Sequence, residues 1–190
     1  MVDPNLIACI YPYDSLLYAV ETINMRENQS RRIVCPETES QNLNMYGGYY
    51  ALELRFNEAP GPSKGQGFVF GTNPDSDIVL PRSKCLKGVW STRCAISFED
   101  RDRLTLKDLG KGDGIAVVYP GRVENPELGI LRDILPDSSA SASAGASAGG
   151  KYPLVVMLHR DLKFYIMVSD HDVDSALHKG NVSRFCMAPL

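Results

Sequence analysis

Apolar residues recur along the chain with two different periods. Leu16, Leu17, Ala19, Val20 and Ile23 return at helical spacing, which predicts a helix over residues 16–25 with Asp14 or Ser15 as its cap. Ahead of it, the apolar residues 6–11 predict a short strand. Residues 27–46 are polar and hold Pro36, so they read as an irregular connection. From residue 49 the period becomes two. Tyr50, Leu52, Leu54 and Phe56 alternate with Ala51, Glu53 and Arg55, the pattern of a half-buried strand that ends at the Gly/Pro-rich residues 60–65.

Further short strands are predicted at residues 67–71, 77–80, 93–98, 104–108, 115–119, 153–159 and 163–168. Many short strands separated by turn signals predict a mostly β fold, a sandwich of two sheets. A long interruption, residues 120–150, ends in a tract (138–150) made only of Ser, Ala and Gly. Such a tract buries too little to offset its ordering entropy and reads as a disordered loop insertion inside one domain. A short helix is expected at 173–179, stopped by Gly180. Residues 1–47 then form an N-terminal extension packing on the main domain, 48–169 the sandwich, and 170–190 a tail.

Composition narrows the class. A chain of 190 residues with 44% hydrophobic and 23% charged residues matches one elaborated globular domain and excludes collagen-like, disordered and membrane-spanning classes. The net charge of −3 gives no bulk attraction to nucleic acid or to an anionic membrane. The first residues lack the basic and apolar regions of a signal peptide. The five cysteines are scattered, without any Cys-x-x-Cys, and read as reduced thiols of an intracellular protein, nuclear or cytoplasmic. The sequons at Asn28 and Asn181 are then without consequence.

The informative block is residues 67–119. It holds Gly71-Thr72, then Asp77-Ile78, then Ser91-Thr-Arg-Cys94, then Leu106-Lys-Asp-Leu109, then Asp113-Gly-Ile115. This block resembles the forkhead-associated (FHA) domain, whose pattern is Gly-Arg, an Asp-Ile strand, Ser-x-x-His, and Leu-x-Asp-Leu leading into Asn-Gly-Thr. The long connections and the Gly-Thr-Asn-Pro opening look like the variants that precede protein kinase domains in filamentous fungi. The resemblance implies a β-sandwich that reads phosphothreonine in partner proteins. In the family an Arg and a Ser reach the phosphate, an Asn fixes the peptide backbone, and the His buttresses the loops. Here Ser91 matches the Ser, while Thr72, Cys94 and Asp113 stand at the Arg, His and Asn positions. Ile115 replaces the following Thr.

These departures weaken the pocket. Thr72 offers one neutral hydroxyl where an Arg would give a fork of charged donors, a loss of roughly ten- to a hundredfold in affinity. Asp113 adds negative charge near a dianion. The loop 82–93 offers a relocated anion site, because Arg82, Lys84, Lys87 and Arg93 stand there without an acidic residue. Ser91 would bond the phosphate, Arg93 or Arg82 would neutralise it, and Lys84 and Lys87 would add screened attraction. A solvated basic loop is the plainer reading of the same residues. Trp90 reads equally as a partner anchor or as core.

Other constellations are weaker. Asp170 to Asp174 alternates like the opening of a calcium loop, but the later Gly and Glu are missing, and His171 and His178 read as surface residues of an acidic helix start. Gly110 to Gly114 is a turn, since neither Lys-Ser/Thr nor a helix follows it. Cys94 alternates with Ile96 and Phe98 and reads as a small buried hydrophobe. The expectation is an interaction module with a partly degenerate phosphothreonine pocket, without catalytic residues, metal or cofactor. Its partner is a protein or a phosphothreonine peptide. A phosphate-independent scaffold or dimerisation domain, or the regulatory N-terminal region of a kinase, is the alternative.

Overall fold

Strand alternation places one side chain in two on a common face, and two such faces meet in the computed structural model. It describes residues 3–13, 17–35, 50–57, 62, 67–89, 91, 93–99, 103–110, 115–118, 140–141, 154–169 and 176–186. One sheet has six strands: β2 (Arg32–Val34), β3 (Tyr50–Arg55), β1 (Leu6–Pro12), β11 (Leu162–Val168), β10 (Leu154–His159) and β8 (Ala116–Val118), in that spatial order. The other has five: β5 (Ile78–Val79), β4 (Phe68–Gly71), β6 (Cys94–Glu99), β7 (Arg103–Asp108) and β9 (Ala140–Ser141). All neighbours are antiparallel except β4 and β5. The fold is a mostly β sandwich of two sheets.

The core lies between the sheets. Leu52, Leu54, Phe164 and Ile166 from one face meet Phe68, Phe70, Cys94 and Ile96 from the other. Burying each such side chain contributes about 1.5–3 kcal/mol. A register shift between Leu6 and Ala8 turns Ile7 and Ala8 to the same inner face, so β1 serves the core despite its irregular alternation.

The N-terminal piece does not lie outside the sandwich. β1 sits between β3 and β11 in the six-stranded sheet, because its apolar residues need strand partners that come from both halves of the chain. Helix α1 (Leu17–Asn24) buries Ala19, Thr22 and Ile23 and leaves Leu17 exposed; Asp14 and Ser15, the expected caps, lie outside the described residues. The stretch read as irregular holds a 3-10 helix (Arg26–Arg31) and β2.

That 3-10 helix clips the free edge of the other sheet. Asn28 is fully buried, and its Nδ2 donates to the carbonyls of Thr22 and Val79 at 2.8 Å each. The Val79 amide donates to Asn28 Oδ1 at 2.9 Å, so the side-chain amide acts as a strand partner for β5. Arg31 Nε donates to the Asp77 carbonyl at 3.0 Å, and its guanidinium lies over the Phe68 ring. Asp77 Oδ2 in turn accepts from the Val69 amide at 2.8 Å.

The C-terminal helix differs from expectation. Helix α2 (Ala176–Cys186) runs through Gly180, because His178, Asn181, Val182 and Phe185 form a buried stripe that holds both halves. Its first turn is not acidic, and His178 is buried edge-on against Phe56 and Phe98 rather than exposed. With Phe185 tilted against Phe68 and edge-on to Phe98, α2 closes the end of the sandwich where β4 begins and β6 finishes. Of the Ser/Ala/Gly tract, Ala140 and Ser141 pair with Leu106 and Thr105; its other residues lie outside the described ones. Asn28 and Asn181 are both buried, so neither sequon is accessible in the folded chain. Among the described residues, no helix is long and apolar enough to cross a membrane.

Asn28→Ala removes three bonds and leaves buried backbone groups unpaired. Urea unfolding of this variant is expected to show a loss of about 2–4 kcal/mol. A loss below about 1 kcal/mol would contradict the clip.

Candidate functional site

At the end opposite α2, β4 stops and β6 starts, and the backbones that continue from them touch. A Cβ on Gly71 would overlap the Ser91 carbonyl oxygen, so this position admits only glycine without backbone movement. The Ser91 carbonyl accepts from the Asn73 amide at 3.2 Å and from Ser76 Oγ at 3.3 Å. The Leu80 amide donates to the Gly71 carbonyl at 2.7 Å, and the Arg93 amide to that of Phe70 at 2.7 Å. The segments following β4 and preceding β6 are thereby held together.

Beside this junction lies an open hollow of about 330 Å³. Thr72, Arg82, Ser83 and Lys84 supply its polar lining, and Leu86 and Val89 its apolar part. Arg82 is exposed, and its Nε donates to the Thr72 carbonyl at 2.9 Å. That bond fixes the guanidinium plane, and no other described residue engages its Nη atoms. Lys84 and Lys87 are exposed without a carboxylate partner among the described residues, and Lys87 does not line the hollow. The loop turns through Leu86 N–H to Ser83 O at 3.1 Å and Val89 N–H to Leu86 O at 3.2 Å. Gly88, at φ +87°, takes the left-handed conformation between them.

Four of the expected site residues thus gather at one end: Thr72, Arg82 and Lys84 in the hollow, with Ser91 exposed at the adjoining junction. Arg93 does not join them. Its side chain is 2% exposed, and Nη1 pairs with Asp108 Oδ1 at 3.1 Å. Asp108 Oδ1 also accepts from the Gly110 amide at 2.8 Å, and a Cβ on Gly110 would overlap Arg93 Nη1. A cation this enclosed is committed to its partner and cannot turn to an external phosphate, which corrects its expected role. Asp113 and Trp90 lie outside the described residues.

Cys94 points into the core, and burial pushes its thiol well above the ordinary range. A neutral, enclosed thiol is not a nucleophile. Among the described residues, no group of three or more His, Cys, Asp or Glu side chains is placed to hold a metal ion. Reasoning from the sequence missed Ser83, whose Oγ lies 2.9 Å from Tyr18 Oη and accepts from the Cys85 amide at 3.1 Å. Its place beside Arg82 was the available signal.

Asp108→Ala removes the carboxylate that faces the buried Arg93 guanidinium, and unfolding measurements are expected to show a loss of about 3–5 kcal/mol. A shift under about 1 kcal/mol would mean that Arg93 finds solvent or another partner. Comparison of the chain with protein-family models, with curated proteins and with solved structures found no match.

Proposed function

We propose that the chain is a protein–protein interaction module of the forkhead-associated type, which docks a phosphothreonine-bearing segment of a partner at the open end of the sandwich. One observation carries the reading: Arg82 and Lys84 line the hollow beside Thr72, and neither has a carboxylate partner among the described residues. A guanidinium tethered at Nε keeps its Nη edge for an oxyanion, and a charge-assisted bond to phosphate is about twice as strong as a neutral one.

The chemistry is a reduced version of the family's. Arg82 takes the charge-neutralising role that Thr72 cannot fill, Ser91 supplies a hydroxyl at the junction, and Lys84 and Lys87 add long-range attraction. These groups are exposed, so their contribution is screened by salt. The open shape suits an extended peptide lying across the loops better than an enclosed small molecule.

A pull-down with a phosphothreonine peptide library and its unphosphorylated counterpart tests this. The phosphorylated set is expected to be retained preferentially, with affinity reduced about tenfold by Arg82→Ala and lowered by added salt. Equal retention of both sets would overturn the phosphate reading and favour a phosphate-independent scaffold.

A further inference from the structure

The hollow is held in shape from outside its own loop. Ser83 is the hub of residues 82–89: its carbonyl accepts from the Leu86 amide, its Oγ accepts from the Cys85 amide, and the same Oγ meets Tyr18 Oη at 2.9 Å. Tyr18 belongs to α1, 65 residues earlier in the chain. Its ring packs against the main core cluster, as does Val89 of the hollow. A ring packed against the core has few rotamers, so its hydroxyl is held in place toward Ser83. Within α1, Thr22 Oγ1 donates to the Tyr18 carbonyl at 2.7 Å, and Thr22 itself is buried.

We propose that Tyr18 is a positioning residue for the hollow, holding the Arg82–Val89 loop in its binding shape through Ser83. This rests on the reading of the hollow as the docking site. The tyrosine touches no ligand; it acts on Arg82 and Lys84, which flank the residue it grips. α1 is thus part of the recognition machinery. Linkage makes the effect reciprocal, so a ligand that favours this loop conformation also favours the Tyr18–Ser83 contact.

The test uses the full chain and one phosphothreonine peptide retained from the library. Tyr18→Phe keeps the packed ring and removes only the hydroxyl. It is expected to weaken peptide binding roughly three- to tenfold while leaving the urea midpoint near that of the wild type. Ser83→Ala should weaken binding at least as much, since it also removes the acceptor of the Cys85 amide. The double variant should bind no more weakly than Ser83→Ala, the non-additivity of two groups in one contact. Unchanged affinity in Tyr18→Phe would overturn the inference while leaving the docking site standing. If the wild-type chain retains no phosphopeptide, the functional reading fails. Amide hydrogen exchange then decides on the strut: severalfold faster exchange at Cys85, Leu86 and Val89 in Tyr18→Phe supports it, and unaltered exchange overturns it.

Discussion

The contact between Gly71 and the Ser91 carbonyl is the constraint from which the open end of the molecule follows. Two loops cross where no side chain fits between them. Thr72, next after the glycine, is thereby placed to accept the Arg82 guanidinium at its carbonyl, and the hollow forms beside that bond. Its supports come from three directions: Phe70 and Gly71 beneath, Ser91 alongside, and Tyr18 of α1 through Ser83. Only Phe70 and Gly71 are buried; Tyr18 and Ser83 are half-buried and Ser91 is exposed, so the exposed cations stand on a graded frame.

Two buried charges show how that frame is kept apart from the open hollow. Arg31 and Arg93 are both enclosed, the first bonded to the Asp77 carbonyl and lying over Phe68, the second paired with Asp108. Each replaces solvation with a fixed partner, Arg31 tying the 3-10 helix to the segment before β5 and Arg93 tying the start of β6 to the end of β7. Arg82 and Lys84, one short loop away, keep their solvent exposure. Position relative to a carboxylate, more than residue type, separates structural arginines from the one facing the hollow.

Much of this was readable from local pattern. Period-two alternation located β3 and β6, and short apolar runs between turn signals located β4, β7, β10 and β11, because these signals are local to each strand. The central place of β1 was not readable, since its partners Arg55 and Val168 are fixed only by long-range pairing. β2 has three residues and no alternation to detect. Gly180 misled as a helix stop, although His178, Asn181, Val182 and Phe185 at helical spacing carried the opposite message. Of the candidate site, Thr72 and Ser91 came from motif order, and Arg82 and Lys84 from the run of cations without an acidic residue in the loop 82–93. The withdrawal of Arg93 depends on Asp108, whose neighbourhood arises only from the register of β6 with β7.

The central claim is that ligand recognition resides in the loops beside the Gly71–Ser91 contact. Backbone amide NMR of the isotope-labelled chain, titrated with a phosphothreonine peptide, examines it most directly. The account expects shifts concentrated at Thr72, Arg82 to Val89 and Ser91, with α2 and its aromatic cluster unmoved. Shifts centred on the outer edge of β2, or on α2, would place recognition elsewhere and contradict it.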